Sequence, residues 1–368
     1  MLPVRNSASP LKPHAFVEQP SLLEHVSEQA AQRPGEVDDD MVILFGALQK
    51  ACKVIAHRVR LAAIHKATGL AEIGTSSGTG GVNISGDRQK KLDVVSNDVL
   101  VSALLRCGKV GVIASEEEGA PVVGTAGAPY VAVFDPLDGS SNVDASIPTG
   151  TIFGIYRTRT GAAAGAAAAD AAAAAADALQ AGSQLVAGGY VLYGASTVMV
   201  VSLGAGTHMF TLDATCGEFV LTRASIRIPP RGRSYSLNEA REGDWPPGLR
   251  RYIGDVKRGR GATGERYELV YICSLVADVH HVMLHGGLAS NPRSHLRLVY
   301  EGNPMGFVVE QAGGKASTGV GPILEEVPQD VHQRIPTFLG SAGDIEELES
   351  YGREHGGVQQ LGNKTYAI

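Results

Sequence analysis

Residues 131–142 read VAVFDPLDGSSN, and the interpretation of the whole chain starts there. Val131–Phe134 is a short apolar run, β-branched at Val131 and Val133, and predicts a strand buried on both faces. It runs into two carboxylates, Asp135 and Asp138, with Pro136 fixing the backbone between them. Gly139, Ser140 and Ser141 supply a turn and hydroxyls able to cap a following helix. Backbone N–H groups at such a turn point outward and favour an anion. Acids for hard cations beside an anion cradle fit metal-assisted phosphoryl transfer. A lone D-x-x-D is more often an acidic turn; the ordered run and its partners elsewhere in the chain weigh against that.

The 368 residues suffice for one large or two ordinary domains with sizeable cores. With 44% hydrophobic and 19% charged residues the composition is that of a soluble globular protein, and a net charge of −6 gives no support to nucleic-acid binding. Cys52, Cys107, Cys216 and Cys273 form no C-x-x-C pair. Neither a zinc site nor a disulfide framework is indicated, and a reducing compartment, taken as the cytoplasm, fits best. No stretch is apolar enough to span a bilayer, and the N-terminus lacks the apolar core of a secretory signal. Residues 1–16 carry Arg5, Lys12, two serines, three prolines and no acid; a disordered leader fits better than an organellar transit segment.

Residues 1–37 are expected to be a partly disordered arm. A helix/sheet domain follows over 38–222, then an α/β domain over 223–356 and a tail over 357–368. Asp38–Asp40 precede MVILFGALQKACKVIAHRVRLAAIH, whose apolar positions recur at three and four, with acids first and bases last as the helix dipole favours. Residues 69–88, rich in Gly, Ser and Thr, predict a mobile loop. Leu92–Leu105 predicts a second helix with Asp93 near its start. Val110–Ala114 predicts a strand delivering Glu116, Glu117 and Glu118, a metal wall rather than a solvated face given the Asp135/Asp138 pair. Residues 161–182 are nearly all Ala and Gly and lack an amphipathic face, so a poorly packed surface loop is expected. Residues 185–222 predict several strands of an antiparallel-rich sheet; helices are predicted at 274–285 and 303–313 and a strand–helix pair at 337–355. His280, His281 and His285 lie on one helix, but no Cys or acid completes a zinc set.

DPLDGSSN resembles the signature of the lithium-sensitive, magnesium-dependent phosphatases, and its continuation VDASIPTGTIFGIYR is similar to the fructose-1,6-bisphosphatase family. The likeness runs from about Val42 to about Tyr351. It includes SEEE (115–118), QKKLDVVSND (89–98), SLNEA (236–240), SLVADVHH (274–281), LRLVYEGNPM (296–305) and HQRIP (332–336). The resemblance implies an α+β fold, a layered α/β/α/β/α sandwich with two mixed-sheet subdomains and the active site between them. It implies hydrolysis of the 1-phosphate of a sugar bisphosphate, fructose 1,6-bisphosphate first, within gluconeogenesis, by a homotetramer arranged as a dimer of dimers. Glu116, Glu117, Asp135, the carbonyl of Leu137, Asp138 and Glu301 match ligands for two or three magnesium ions, which Mn²⁺ or Zn²⁺ can replace. Glu117 and Asp93 match the acids that activate water, and Asp87 matches a loop acid that closes over the site. Asp138, Gly139, Ser140, Ser141 and Arg297 match contacts to the reacting end of the substrate.

The far end departs from the family pattern. Asn238 and Tyr271 match two of its far-phosphate residues, but a family Tyr is Arg241, another is Asn291, the Arg before Tyr271 is Val270, a Gly after it is Cys273, and a Lys is His295, carried here as a substrate contact. Sedoheptulose-1,7-bisphosphatase, a relaxed sugar phosphatase and a non-catalytic regulatory paralogue therefore stand as alternatives. In the nucleotide-inhibitor site Arg157 and Tyr130 survive, but a Lys is Pro129 and a Thr is Val42, so weak or no inhibition by AMP is expected. The Ala-rich insertion lacks the cysteines of the family's plastid redox insertion, so thioredoxin-type switching is not expected.

Overall fold

The long helix predicted after Asp38 forms over Asp39–Arg60, and it does so by the spacing of its apolar residues. Met41, Leu44, Phe45, Leu48, Ala51, Cys52 and Ile55 all fall on one buried stripe. Asp38 caps it, its carboxylate accepting from the Met41 N–H at 2.9 Å. The computed structural model describes residues 19–71, 89–159 and 167–360, and the side chains of these except 167–172. In chain order the helices are α1 (Leu22–Gln32), α2 (Asp39–Arg60), α3 (Lys91–Arg106), α4 (Ala167–Ala178), α5 (Pro247–Val256), α6 (Leu275–His285), α7 (Asn303–Gln311) and α8 (Ala342–His355). The strands of the first sheet are β1 (Val110–Ser115), β2 (Val122–Val123), β3 (Tyr130–Asp138), β4 (Thr149–Arg157), β5 (Leu185–Tyr193), β6 (Thr197–Ser202), β7 (Thr207–Asp213) and β8 (Glu218–Arg223), in spatial order β2-β1-β3-β4-β5-β6-β7-β8. The second sheet contains β9 (Ser234–Ser236), β10 (Glu268–Leu269), β11 (Leu288–Arg297), β12 (Lys315–Ser317) and β13 (Arg334–Gly340), in order β10-β9-β11-β13-β12.

Strand alternation sends the two faces of the large sheet into two different cores. Tyr130, Ala132 and Phe134 face α1–α3, while Val131 and Val133 face α6, α7 and the second sheet. Phe45 meets Phe153 edge-on at 6.1 Å between ring centroids, and truncating Phe45 to Ala would cost about 3–5 kcal/mol. A third core, with Trp245, Leu249, Ile253 and Leu348, lies under α5 and α8 on the outer side of the small sheet. Both sheets mix parallel and antiparallel pairs, β1 running parallel to β3 and β9 parallel to β11. The α+β sandwich expected from the sequence is the fold of the chain. No helix among the described residues is long and apolar enough to cross a membrane.

Two expectations about local structure need correction. The Ala-rich segment is not a loose loop: α4 packs on the sheet with Ala174, Asp177 and Ala178 fully buried, and Asp177 accepts from the Arg159 N–H at 3.0 Å. Ala side chains are short enough to bring the helix backbone close to the strands, so a helix without an apolar stripe still packs. The turn after Asp138 does not enter a serine-capped α-helix. Gly139 adopts φ 69° and leads into a single 3₁₀ stretch, Ser140–Ala145, without a side-chain cap. Within the N-terminal arm, Ser21 and Glu24 form a capping box that starts α1, whose Leu22 and Val26 are buried. The segment 72–88, which includes Asp87, lies outside the described residues.

Candidate active site

Asp135 and Asp138 stand at the end of β3, where its ladder with β4 slips between these two residues. Pro136 has no N–H to continue the ladder, and the Leu137 N–H turns inward to donate to Asp135 Oδ1 at 2.9 Å. Parallel pairing of Ser115 with Phe134 brings the end of β1 beside the same point, and Glu116 N–H donates to the Phe134 carbonyl at 3.2 Å. The third acid arrives through a π-turn, Leu298–Gly302, inserted between β11 and α7; such turns recur at functional sites. It aims Glu301 back so that its Oε2 accepts from the Arg297 N–H at 2.5 Å. One carboxylate oxygen from each of Asp135, Asp138 and Glu301 lies within 4.8 Å of the others, all three residues buried.

Burial and mutual repulsion push these acids upward. Asp135 is raised well above the usual carboxylate range by burial and by Glu116, Glu301 and Asp138. Glu301 is pushed up to about 8 by burial and Glu116, against the pull of Arg297. Asp138 is raised by burial, although donors hold it down: Ser274 Oγ–H at 2.5 Å and Val276 N–H at 2.9 Å, both at the start of α6. The only nearby cation described in contact with the cluster, Arg297, puts Nη1 2.8 Å from Glu116 and 4.0 Å from Glu301. Among the described residues, one guanidinium stands against four carboxylates, an excess of negative charge. A divalent cation fits that donor set better than any protein group present.

Beside the cluster, Asp93 enters from the first turn of α3, where its Oδ2 accepts from Lys90 N–H at 2.7 Å and Ser140 Oγ–H at 3.2 Å. Its other oxygen, Oδ1, is buried without a hydrogen-bond partner, and burial together with Glu117 raises it well above the ordinary range. Glu117 Oε2 accepts from Gln89 Nε2–H at 2.6 Å. An orphaned carboxylate oxygen next to a second acid is suited to take a proton from water. Gly139 closes against α6: a Cβ there would lie 2.9 Å from the Ser274 Cβ, so only Gly allows this approach. Ser141 is exposed.

Asn238 and Tyr271 are some distance along the chain from the cluster and meet elsewhere. They line a small open cleft of about 40 Å³ together with Arg241, Trp245, Asn291, Arg293 and Gln360 of the C-terminal segment. His295 lies on β11 but is not among the residues lining that cleft. Tyr271 is three residues from Ser274, a span of at most about 11 Å, so the cleft and the carboxylates flank one segment. That segment is held by Ile272 N–H donating to Asp278 at 2.8 Å and by Asn142 Nδ2–H donating to the Ile272 carbonyl at 3.1 Å. Cys273 sits at φ 63°, a conformation that costs a non-glycine residue about 1–2 kcal/mol. His280 Nδ1 pairs with Tyr190 Oη at 2.9 Å. Sequence reasoning did not assign Ser274, Val276 or Gln89 to the site. The N-capping Ser before α6 was the one available signal, and nothing local connects it to an aspartate 136 positions earlier.

The family model of the fructose-1,6-bisphosphatase N-terminal domain matches residues 21–224 and that of its C-terminal domain residues 228–353. The chloroplastic fructose-1,6-bisphosphatase 1 of Arabidopsis thaliana is 43% identical over 331 residues, 86% of this chain and 77% of that protein. The cytosolic fructose-1,6-bisphosphatase of Brassica napus is 39% identical over 344 residues, 91% of this chain and 96% of that one. The crystal structure of the Leishmania major fructose-1,6-bisphosphatase in holo form superposes with a TM-score of 0.81 at 35% identity, covering 90% of this chain and 98% of that chain.

Proposed function

The chain belongs to the fructose-1,6-bisphosphatase family and is a phosphatase, and on that premise we propose that it hydrolyses fructose 1,6-bisphosphate to fructose 6-phosphate and inorganic phosphate with magnesium as cofactor. The observation that carries this reading is the buried Asp135–Asp138–Glu301 cluster, with Glu116 beside it and, among the described residues, too little positive charge to balance it. Asp135, Asp138, Glu301, Glu116, Glu117 and the Leu137 carbonyl would hold the ions. Bound magnesium would supply Lewis-acid stabilisation of the charge developing on the phosphoryl and leaving oxygens.

The remaining work falls to the chain's own groups. Arg297, held by Glu116, orients that carboxylate and presents positive charge toward the reacting phosphoryl group. The turn at Gly139–Ser141 contributes backbone N–H donors to the same group. Asp93 Oδ1, unpaired and raised by its neighbours, receives the proton of the attacking water, and Glu117, anchored by Gln89, shares that proton. Water adds to phosphorus, the ester oxygen leaves with a proton, and the sugar departs as an alcohol. Asn238 and Tyr271 would hold the far phosphate across the cleft, with His295 acting from the adjoining strand. The four cysteines are free, and we assign the protein to the cytoplasm, as a homotetramer.

Arg241 and Asn291 in that cleft favour, as a second reading, a different sugar bisphosphate such as sedoheptulose 1,7-bisphosphate. The test of the catalytic assignment is Glu117→Gln. Phosphate release is expected to fall about 10²-fold or more while fructose 6-phosphate binding persists. Turnover at the wild-type rate would remove Glu117 from the mechanism.

A further inference from the structure

The HQRIP segment, residues 332–336, leads into β13 and lies against the π-turn that delivers Glu301. Two contacts join them. The Leu298 N–H, at the start of the turn, donates to the Gln333 carbonyl at 2.8 Å. In the middle of the turn, Tyr300 Oη meets His332 Nδ1 at 2.8 Å, the two rings edge-on with centroids 5.8 Å apart. Tyr300 is fully buried and directly precedes Glu301, so fixing its ring fixes the rotation of the turn and the direction of the next side chain. An uncommon backbone form such as a π-turn persists where its surroundings over-determine it.

The direction of the Tyr300–His332 bond follows from the inventory of donors. A buried phenol must place its O–H, so Tyr300 donates and Nδ1 accepts, which leaves the proton of a neutral imidazole on Nε2. Burial favours that neutral ring. Nε2 is itself buried without a well-aligned partner, and the backbone of Glu118 lies near enough to favour a proton on the ring. Glu118 closes the SEEE run one residue after Glu117. His332 therefore stands between the turn that carries Glu301 and the strand end that carries Glu116 and Glu117. The loop holds His332 in place by its own bonds: its N–H donates to Asp330 Oδ1 at 2.8 Å, and Gln333 N–H donates to the Asp330 carbonyl at 3.1 Å.

We propose that His332, through its hydrogen bond with Tyr300, is a positioning residue for Glu301: it sets the rotation of the π-turn and so keeps the Glu301 carboxylate turned to Asp135 and Asp138. This rests on the reading of that cluster as the magnesium site. It goes beyond that reading by assigning the aim of the third carboxylate to two residues outside the cluster.

The test uses the full-length protein and its variants. His332→Leu removes the acceptor and Tyr300→Phe the donor, each with little change of volume, whereas His332→Asn keeps an acceptor where Nδ1 stands. Magnesium affinity measured by calorimetry is expected to fall about 10–100-fold in His332→Leu and in Tyr300→Phe, and to stay within about threefold of wild type in His332→Asn. The double variant is expected to be no weaker than the weaker single, because both changes break one bond. In the metal-free protein, hydrogen exchange over residues 298–303 is expected to quicken in His332→Leu and Tyr300→Phe and not in His332→Asn. Fructose 6-phosphate affinity is expected to be unchanged throughout, a readout that general loss of structure would lower. Wild-type magnesium affinity and exchange in Tyr300→Phe overturn the proposal, as does an affinity loss in His332→Asn equal to that in His332→Leu, or a parallel loss of fructose 6-phosphate binding. Tyr300→Phe removes a single oxygen and decides the outcome if His332→Leu fails to fold. If the wild type binds no magnesium but exchange behaves as expected, the brace on the π-turn stands and the metal reading falls.

Discussion

Glu301 offers the sharpest quantitative test, because its predicament depends on whether a cation is present. In the metal-free protein its carboxyl is held up to about 8, against an ordinary 4.5. Between those values the folded chain binds more protons than the unfolded one. The contribution is therefore fully present below pH 4.5 and is lost as pH rises through about 8. Each pH unit removes about 1.4 kcal/mol for one such group, so the metal-free fold loses up to about 5 kcal/mol across the window from Glu301 alone. The perturbation is Glu301→Gln, whose amide oxygen can still accept from the Arg297 N–H, where Glu301 now accepts at 2.5 Å. The assay is urea unfolding with chelator between pH 5.5 and 7.5. The variant's stability is expected to fall with pH less steeply than wild type, by about 1.4 kcal/mol per unit, since one carboxylate no longer titrates. Saturating magnesium should flatten the wild-type curve, because the ion favours the charged form. Equal slopes in wild type and variant, or a wild-type slope indifferent to magnesium, would refute the electrostatic picture of the cluster.

Three further outcomes follow from particular contacts. Ser274→Ala removes both the 2.5 Å donor to Asp138 and the cap of α6; magnesium affinity measured by calorimetry should weaken about 10–100-fold, with about 1 kcal/mol lost from stability. His25, wedged on the sheet 4.5 Å from the His208 ring, is lowered to about 4 by burial and by His208. The stability it confers as a neutral ring is lost as pH falls from 6.5 toward 4, and His25→Phe should flatten that acid limb in thermal melts. Arg157 is already engaged by Asp38 at 2.8 Å, and Asp38 also accepts from Tyr130 Oη–H at 2.5 Å. AMP titrated into the phosphatase assay is therefore expected to leave the rate close to its starting value, and strong inhibition would contradict this.

Much of the architecture is legible in the sequence wherever one periodicity dominates. The stripe through Leu44, Leu48 and Ile55 predicts α2, and the apolar run into Asp135 predicts a strand buried along its whole length. What escapes is decided by contacts between distant residues. The alanines of α4 carry no stripe, and only the sheet beneath them makes Ala174 and Ala178 a core. The π-turn holds Glu301 against the Arg297 N–H, and the Arg297 side chain meets Glu116 only across the fold. Asp138 leans on α6 through Ser274, a pairing that no local pattern encodes. The cleft is the extreme case: Arg241, Arg293 and Gln360 come from three separate segments, and no one of them is distinctive until the fold brings them together.

The most direct measurement is phosphate release with and without magnesium, from fructose 1,6-bisphosphate, sedoheptulose 1,7-bisphosphate and a sugar 1-monophosphate. The account predicts magnesium-dependent release that is fastest from fructose 1,6-bisphosphate. Absence of magnesium-dependent release from all three esters would contradict it.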